Sequence, residues 1–163
     1  MEHAATDLFS ALEHSAWGAT IRQSVWLYPF ANIGHVVALV LFAGALAVMD
    51  LRLLGAFAAT RPADVVGPAR TAALFAFLLM VLTGSVLFTA EASHLAANPV
   101  FQLKVALIAL GLLNVLAFQT VAARSLRALP AGARLPTAAR ATAMVSLALW
   151  LAVAACGRSI AYF

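Results

Sequence analysis

The sequence has 163 residues, of which 64% are hydrophobic and 10% are charged, whereas a soluble domain carries about 25% charged residues. The mean hydropathy of +0.99 excludes an ordinary soluble domain and predicts an integral membrane protein. The formal net charge of +4 comes from basic residues scattered between apolar runs, which excludes the basic face of a nucleic-acid-binding protein. The single cysteine, Cys156, excludes an intramolecular disulfide and a cysteine-rich metal centre.

The N-terminal residues predict a short helix lying on the membrane surface. Leu8, Leu12 and Ala16 recur at helical spacing within residues 4–20, with charged side chains at other positions. An amphipathic helix of this kind lies in the interfacial plane of a bilayer. No basic region precedes it, so we expect no cleaved signal peptide.

Four apolar stretches follow, each long enough to cross a bilayer as a helix of about 20 residues. The expected spans are residues 29–50, 69–90, 100–122 and 141–160, within a single transmembrane domain that covers residues 1–163. Trp26 and Tyr28 suit an aromatic belt at the first span, while Pro29 and Pro99 suit the first turns of helices. The predicted fold class is all-α, an integral membrane four-helix bundle with a short N-terminal interfacial helix.

The distribution of basic residues predicts the orientation of the bundle. Seven of the ten basic residues lie around the loops after the first and third spans, and cytoplasmic loops are enriched in Lys and Arg. Both termini are then expected on the outer, periplasmic side of a bacterial inner membrane. The four histidines all fall on that side, an arrangement that weakly favours an outward-facing site: His3, His14, His35 and His94.

His35 lies inside the first span, where an ionisable side chain is costly and usually functional. Tyr28, Asn32 and His35 are spaced by four and three residues, so they form a polar stripe that should face protein. In one interpretation His35 ligates haem iron or another metal, and Asn32 or Tyr28 supports it by a hydrogen bond. In the other, His35 is a buried histidine that bonds to a carbonyl or hydroxyl group of a neighbouring helix.

Lys104 is predicted to lie at the depth of His35. Pro29 precedes His35 by six residues and Pro99 precedes Lys104 by five, which puts both side chains about 8 to 9 Å into their helices. Lys104 could then bind a propionate or a substrate carboxylate, or act as a ligand. The alternative is that Lys104 reaches the outer headgroups or pairs with Glu91.

Other polar residues near the ends of the spans have two interpretations each. His94 is a candidate second axial ligand or outer metal site, or else a solvated loop histidine. Arg158 is a candidate partner for a propionate, or else an anchor to lipid phosphate. Asp50 and Arg52 are two residues apart and do not face each other on a helix, so we expect each to have a different, structural partner.

Several short motifs resemble those of known bacterial membrane protein families. They are His35 and Gly44 followed by Asp50-Leu51-Arg52-Leu53, then Leu82-Thr83-Gly84, and then Phe101 three residues before Lys104. Over residues 26–118 they resemble the copper-resistance D family and the HemJ-type protoporphyrinogen oxidase family. In the HemJ-type family a histidine of the first helix and a lysine of the third are tied to a b-type haem and to activity. The resemblance implies these roles for His35 and Lys104.

The leading functional hypothesis is a membrane b-type cytochrome that transfers electrons between the quinone pool and a periplasmic partner, or carries out a haem-dependent oxidation. Its expected cofactor-binding residues are His35, His94, Lys104, Asn32, Tyr28 and Arg158, with His35 and His94 as metal ligands. A second hypothesis is copper handling by the four histidines, because imidazole binds copper. A third is a cofactor-free accessory subunit of a larger membrane complex. The expected partner is the lipid bilayer, and two further kinds of partner agree with the sequence: a second copy of the chain and a larger complex.

Overall fold

The computed structural model describes residues 2–163, with side-chain surroundings from Asp7 onward, and this range contains helices and no strand. The elements are α1 (Glu2–Glu13), α2 (Ala16–Gln23), α3 (Leu27–Leu54), α4 (Pro62–Ala90), α5 (Ala92–Ala97), α6 (Pro99–Val121), α7 (Ala123–Arg127), α8 (Thr137–Ser159) and a final 3₁₀ turn (Ile160–Tyr162). Helices α3, α4, α6 and α8 are long and apolar enough to cross a membrane. The predicted all-α membrane bundle of four spanning helices is confirmed.

The largest difference from the expected spans is at α4. This helix begins at Pro62, seven residues before the predicted start, so most of the expected loop before it is helical. Pro62 occupies the first helical turn, where backbone N–H groups make no hydrogen bond within the helix, so a proline costs nothing there. Pro68, inside the helix, removes one backbone hydrogen bond without ending the helix. The other spans begin within four residues of the predicted starts.

The N-terminal segment forms two helices, so the prediction of one helix over residues 4–20 is wrong. Ser15 separates them and caps α2 by accepting a hydrogen bond from the Gly18 N–H at 3.1 Å. Gly18 is required at this corner, because a Cβ there would lie 2.3 Å from the Glu13 carbonyl oxygen. The expected loop over residues 92–99 likewise contains a short helix, α5.

Helices α1 and α2 cover the end of the bundle where α4 leads into α5, which we call the capped end. The Glu13 carboxylate accepts a hydrogen bond from the Ser93 N–H at 2.8 Å, and Arg22 donates to the Glu13 carbonyl oxygen at 2.7 Å. Hydrogen bonds from the Ser93 side chain and backbone hold the pKa of Glu13 below its usual value. Phe9 packs edge-on against Phe88, with ring centroids 5.8 Å apart. The surface helix is therefore attached to the bundle by polar and aromatic contacts.

The opposite end, which we call the loop end, holds the two connections between paired spans. Gly55, with a φ of 116°, ends α3 in the left-handed region that glycine accommodates best. Arg52 is buried and donates to the Thr60 carbonyl oxygen at 2.8 Å, which closes the turn into α4. The Gly132 N–H donates to the Ala58 carbonyl oxygen at 2.8 Å, so the two connections are joined to each other.

The four spans form a ring that is open on one side. Helix α3 packs along α4, α6 packs along α8, and α3 also packs against α8. Within the described chain, α4 and α6 do not pack side by side. They meet through the stacked rings of Phe88 and Phe101, 5.5 Å apart, and through a 3.1 Å hydrogen bond from Arg70 to Gln119. A lateral gap between α4 and α6 lies between these two contacts.

Candidate functional site

His35 is half-buried between α3 and α4, with its Nδ1 atom 3.0 Å from Thr83 Oγ1. The Thr83 hydroxyl donates its own hydrogen to the Leu79 carbonyl oxygen at 2.7 Å, so the Thr83 oxygen accepts a hydrogen from His35. This network assigns the proton of the neutral imidazole to Nδ1. The Nε2 atom then keeps a lone pair.

The hydrogen bond to Thr83 is the contact that the structural interpretation of His35 predicted, a hydroxyl group on a neighbouring helix. The ligand interpretation needs one free ring nitrogen, and Nε2 meets that need. Gly84 makes room for the ring, because a Cβ at this position would lie 3.1 Å from His35 Cε1. Both interpretations therefore agree with the position of His35.

Lys104 of α6 lies close enough to His35 for its charge to act on the imidazole. Its side chain is half-buried and faces α8, where a Cβ at Gly157 would lie 3.5 Å from Lys104 Nζ. The buried thiol of Cys156 is a second neighbour on α8. Glu91 lies near Tyr28 instead, so the alternative pairing of Lys104 with Glu91 is not formed among the described residues.

Each span thus contributes one side chain to a polar region near the capped end of the bundle. We call this set the His35–Lys104 region: His35, Thr83, Lys104 and Cys156. Its chemistry combines a free imidazole nitrogen with an ammonium group that has lost much of its contact with solvent. Such a pair suits a metal-containing or anionic ligand. The sequence identified His35 and Lys104, whereas the proximity of Cys156 depends on how α8 packs.

Asn32 and Tyr28 do not share the surroundings of His35. Asn32 is exposed, so the expectation that the whole stripe faces protein is wrong at this position. Asn32 precedes His35 by three residues, which corresponds to a rotation of about 300° around the helix. This rotation places Asn32 outside the face of α3 that α4 covers. Tyr28 is half-buried at the start of α3 and lies near Glu91.

His94 and Arg158 lie outside the His35–Lys104 region. His94 is exposed on α5, beyond the ends of the spans, as the solvated interpretation predicted. Arg158 is exposed on α8, where it donates to the Tyr162 hydroxyl and lies 4.7 Å from the centroid of that ring. The structure therefore does not bring either residue against His35.

The histidines of the copper hypothesis do not gather into one site. His14 Nδ1 is 2.8 Å from the Ser10 carbonyl oxygen within α1, and His94 is exposed on α5. The side chain of His3 lies outside the described side chains. Over the part of the chain that is described, no three His, Cys, Asp or Glu residues form a group that could hold a metal ion. The copper hypothesis stays a prediction without an assembled ligand set.

A second polar region lines a cavity nearer the loop end, which the sequence did not reveal. The cavity measures about 150 Å³ and has walls from all four spans. Asp50 is 1% exposed, and neither of its carboxylate oxygens has a hydrogen-bond partner among the described residues. The indole N–H of Trp150 is also buried without a partner there. Both residues line the cavity.

These features define a multi-pass α-helical membrane protein that buries polar side chains between its spans. The chain belongs to DUF6644, a family of unknown function, whose sequence profile matches residues 10–163. No curated protein and no solved structure matches the chain.

Proposed function

We propose that this protein binds a b-type haem between its spans and that His35 would hold its iron through Nε2. The observation that supports this is the orientation of the imidazole, whose Nδ1 donates to Thr83 while Nε2 keeps its lone pair. A histidine that binds a metal almost always donates its other ring N–H to an oxygen atom, which fixes the tautomer and the ring orientation. When bound, the haem supplies one-electron redox chemistry.

Lys104 is the proposed partner of His35 in this site. Its ammonium group is half-buried beside α8, and a buried cation is stabilised by an opposite charge. A haem propionate or a substrate carboxylate meets that requirement. Gly84 and Gly157 let the imidazole and the ammonium group lie against the backbones of α4 and α8. The donor set fits the group, because Nε2 would hold the iron and the ammonium group would bind a propionate.

We further propose that the protein works in a bacterial inner membrane, with the loop end in the cytoplasm. The loop end carries a cluster of arginines, and cytoplasmic loops are enriched in such residues: Arg52, Arg61, Arg124, Arg127 and Arg134. The His35–Lys104 region then lies near the periplasmic surface, under α1 and α2. Electron transfer between the quinone pool and a periplasmic redox partner is the function that this arrangement supports best.

The test is a reduced-minus-oxidised absorption spectrum of the protein purified in detergent after haem-replete expression. We expect a haem band in the wild type, its loss in His35→Ala, and its retention in His94→Ala, which removes an exposed histidine at the same end. A wild-type protein without a haem band would refute the proposal. A band that persists in His35→Ala would assign the ligand to another residue.

Thr83 provides a second test that leaves the ligand itself intact. Thr83→Val removes the hydroxyl that orients His35 while keeping the branched shape, and Thr83→Ser retains the hydroxyl. Loss of such an orienting partner costs about 10–100-fold in metal affinity, so valine should weaken haem binding and serine should not. Equal haem affinity in the two variants would show that Thr83 has only a structural role. Copper analysis of the same samples tests the copper hypothesis.

A further inference from the structure

The cavity near the loop end has the size of a single six-membered ring. Its volume is about 150 Å³, and a cavity of that volume in another protein holds benzene. Its walls are mainly aromatic and aliphatic. Phe42 and Trp150 meet edge to face at 4.7 Å, and Phe77 lies 6.0 Å from Trp150, so an aromatic cluster forms one wall. An apolar ring is the natural occupant of such a space.

Two unsatisfied polar groups line the same cavity. The Asp50 carboxylate comes from α3 and is 1% exposed, and the Trp150 indole N–H comes from α8. Neither group has a partner at hydrogen-bond distance within the described chain, and the nearby Ser146 hydroxyl interacts with the Asp50 carboxylate from a greater distance. Leaving such groups unpaired in a buried site costs stability, so a ligand that pairs with both is favoured. That ligand must donate a hydrogen to Asp50 and accept one from Trp150.

The two groups are offset along the bundle. Ser146 lies beside Asp50, and Trp150 follows Ser146 on α8 by four residues, a rise of roughly one helical turn or 6 Å. The two polar groups are therefore displaced from each other along the cavity, so different substituents of one ring can reach them.

The cavity opens sideways toward lipid. Its lining includes Leu74 of α4 and Leu112 of α6, which are 56% and 43% exposed, and these two helices do not pack side by side within the described chain. Arg70 lines the cavity too, with its guanidinium held by Gln119. A ring bound in the cavity can therefore carry a long apolar substituent that leaves through the gap between α4 and α6.

From this geometry we propose that the cavity binds the ring of a membrane-dissolved hydroquinone. One hydroxyl donates to Asp50, the opposite oxygen accepts from the Trp150 N–H, and the alkyl tail extends into lipid between α4 and α6. The proposed binding of the ring depends only on the cavity and its two polar groups. Its physiological role depends on the proposed function, electron transfer with the quinone pool.

The test measures binding of decyl-hydroquinone to the full chain in lipid nanodiscs by equilibrium dialysis under reducing conditions. Two analogues serve as ligand controls: the dimethyl ether of decyl-hydroquinone, which cannot donate, and decylphenol, which has one oxygen. Because each lost hydrogen bond should weaken binding about tenfold, both analogues should bind more weakly than decyl-hydroquinone. If the dimethyl ether or the phenol binds as tightly as decyl-hydroquinone, the proposal of two hydrogen bonds, to Asp50 and to Trp150, is wrong.

Variants of the protein test the same two hydrogen bonds. Asp50→Asn and Trp150→Phe should each weaken decyl-hydroquinone binding by about tenfold, while Asp64→Asn, at an exposed aspartate of α4, should leave it unchanged. Trp150→Phe keeps an aromatic ring in the wall, so it tests the N–H even if Asp50→Asn folds poorly. Wild-type affinity in Trp150→Phe would overturn the assignment of the indole.

Haem absorption spectra of the same samples separate this proposal from the proposed function. Hydroquinone binding by protein without a haem band would support the cavity site and refute the cytochrome. A haem band with no hydroquinone binding would refute the cavity site and leave the cytochrome standing.

Discussion

Substitution of Gly84 by alanine tests whether His35 is seated against α4 as described. The added Cβ would lie 3.1 Å from His35 Cε1 and 3.5 Å from His35 Nδ1, whereas ordinary van der Waals contacts of a Cβ are 3.4–4 Å long. The imidazole must therefore retreat by a few tenths of an ångström. Its hydrogen bond to Thr83, now 3.0 Å, would lengthen toward the limit for such a bond.

The expected magnitude follows from these two effects. A weakened hydrogen bond costs about 0.5–1.5 kcal/mol, and overpacking of a filled site costs about 1–3 kcal/mol. Replacing glycine by alanine within a helix gains about 0.5–1 kcal/mol. Gly44→Ala in α3 should show this gain in stability without either cost, because no atom lies within 4 Å of the added Cβ. Gly84→Ala should then be about 1.5–4.5 kcal/mol less stable than Gly44→Ala, because the gain is common to both variants and the two costs add.

The assay is thermal unfolding of both variants in the same detergent. For a chain of this size, 1 kcal/mol corresponds to a shift in Tm of roughly 2–4 °C, so the difference between the two variants is measurable. If Gly84→Ala melts at or above the temperature of Gly44→Ala, the imidazole does not rest on Gly84 as described.

Three further predictions concern the capped end and the pairing of α6 with α8. Because the pKa of Glu13 is lowered from 4.5 in the folded protein, its attachment to α5 is complete above that value and is lost as pH falls through the lower folded pKa. Hydrogen-exchange protection of the Ser93 amide should fall with it, and in Glu13→Gln, whose amide oxygen accepts the same bond but does not titrate, this dependence on pH should disappear. Gly18→Ala should open the corner between α1 and α2, lowering stability by about 1–3 kcal/mol, and unchanged resistance of this corner to proteolysis would contradict that. Asn114 donates to the Thr142 carbonyl oxygen at 3.0 Å, so Asn114→Ala should cost about 0.6–1.7 kcal/mol in thermal unfolding, and no loss would show that this bond is not formed in the membrane.

The sequence was sufficient to predict the spanning helices, because runs of about 20 apolar residues have few alternatives in lipid. It also placed His35 and Lys104 at a similar depth, since Pro29 and Pro99 lie in the first turns of helices that start from the same end of the bundle. It failed at Asn32, because a polar stripe indicates one side of a helix but not how wide a face the neighbouring helix covers.

The cavity near the loop end was beyond sequence reasoning for a different reason. Asp50 lies in the last two turns of α3, a position that usually indicates contact with the membrane surface. Its burial depends on α8, which supplies Ser146 and Trp150 from almost a hundred residues further along the chain. The sequence does not reveal the gap between α4 and α6 either, because all four spans are apolar enough to cross a membrane and their composition does not say which of them pack together.

The packing of the spans divides the chain into two helical hairpins, α3 with α4 and α6 with α8, each made of consecutive spans. Each hairpin contains its own polar bond, from His35 to Thr83 in the first and from Asn114 to Thr142 in the second. Spanning helices that enter lipid and later associate can therefore form these bonds before the hairpins meet. Ser146 and Trp150 of α8 reach Asp50, and Lys104 of α6 reaches His35, only when the two hairpins meet. Both polar regions are therefore completed when the hairpins dock.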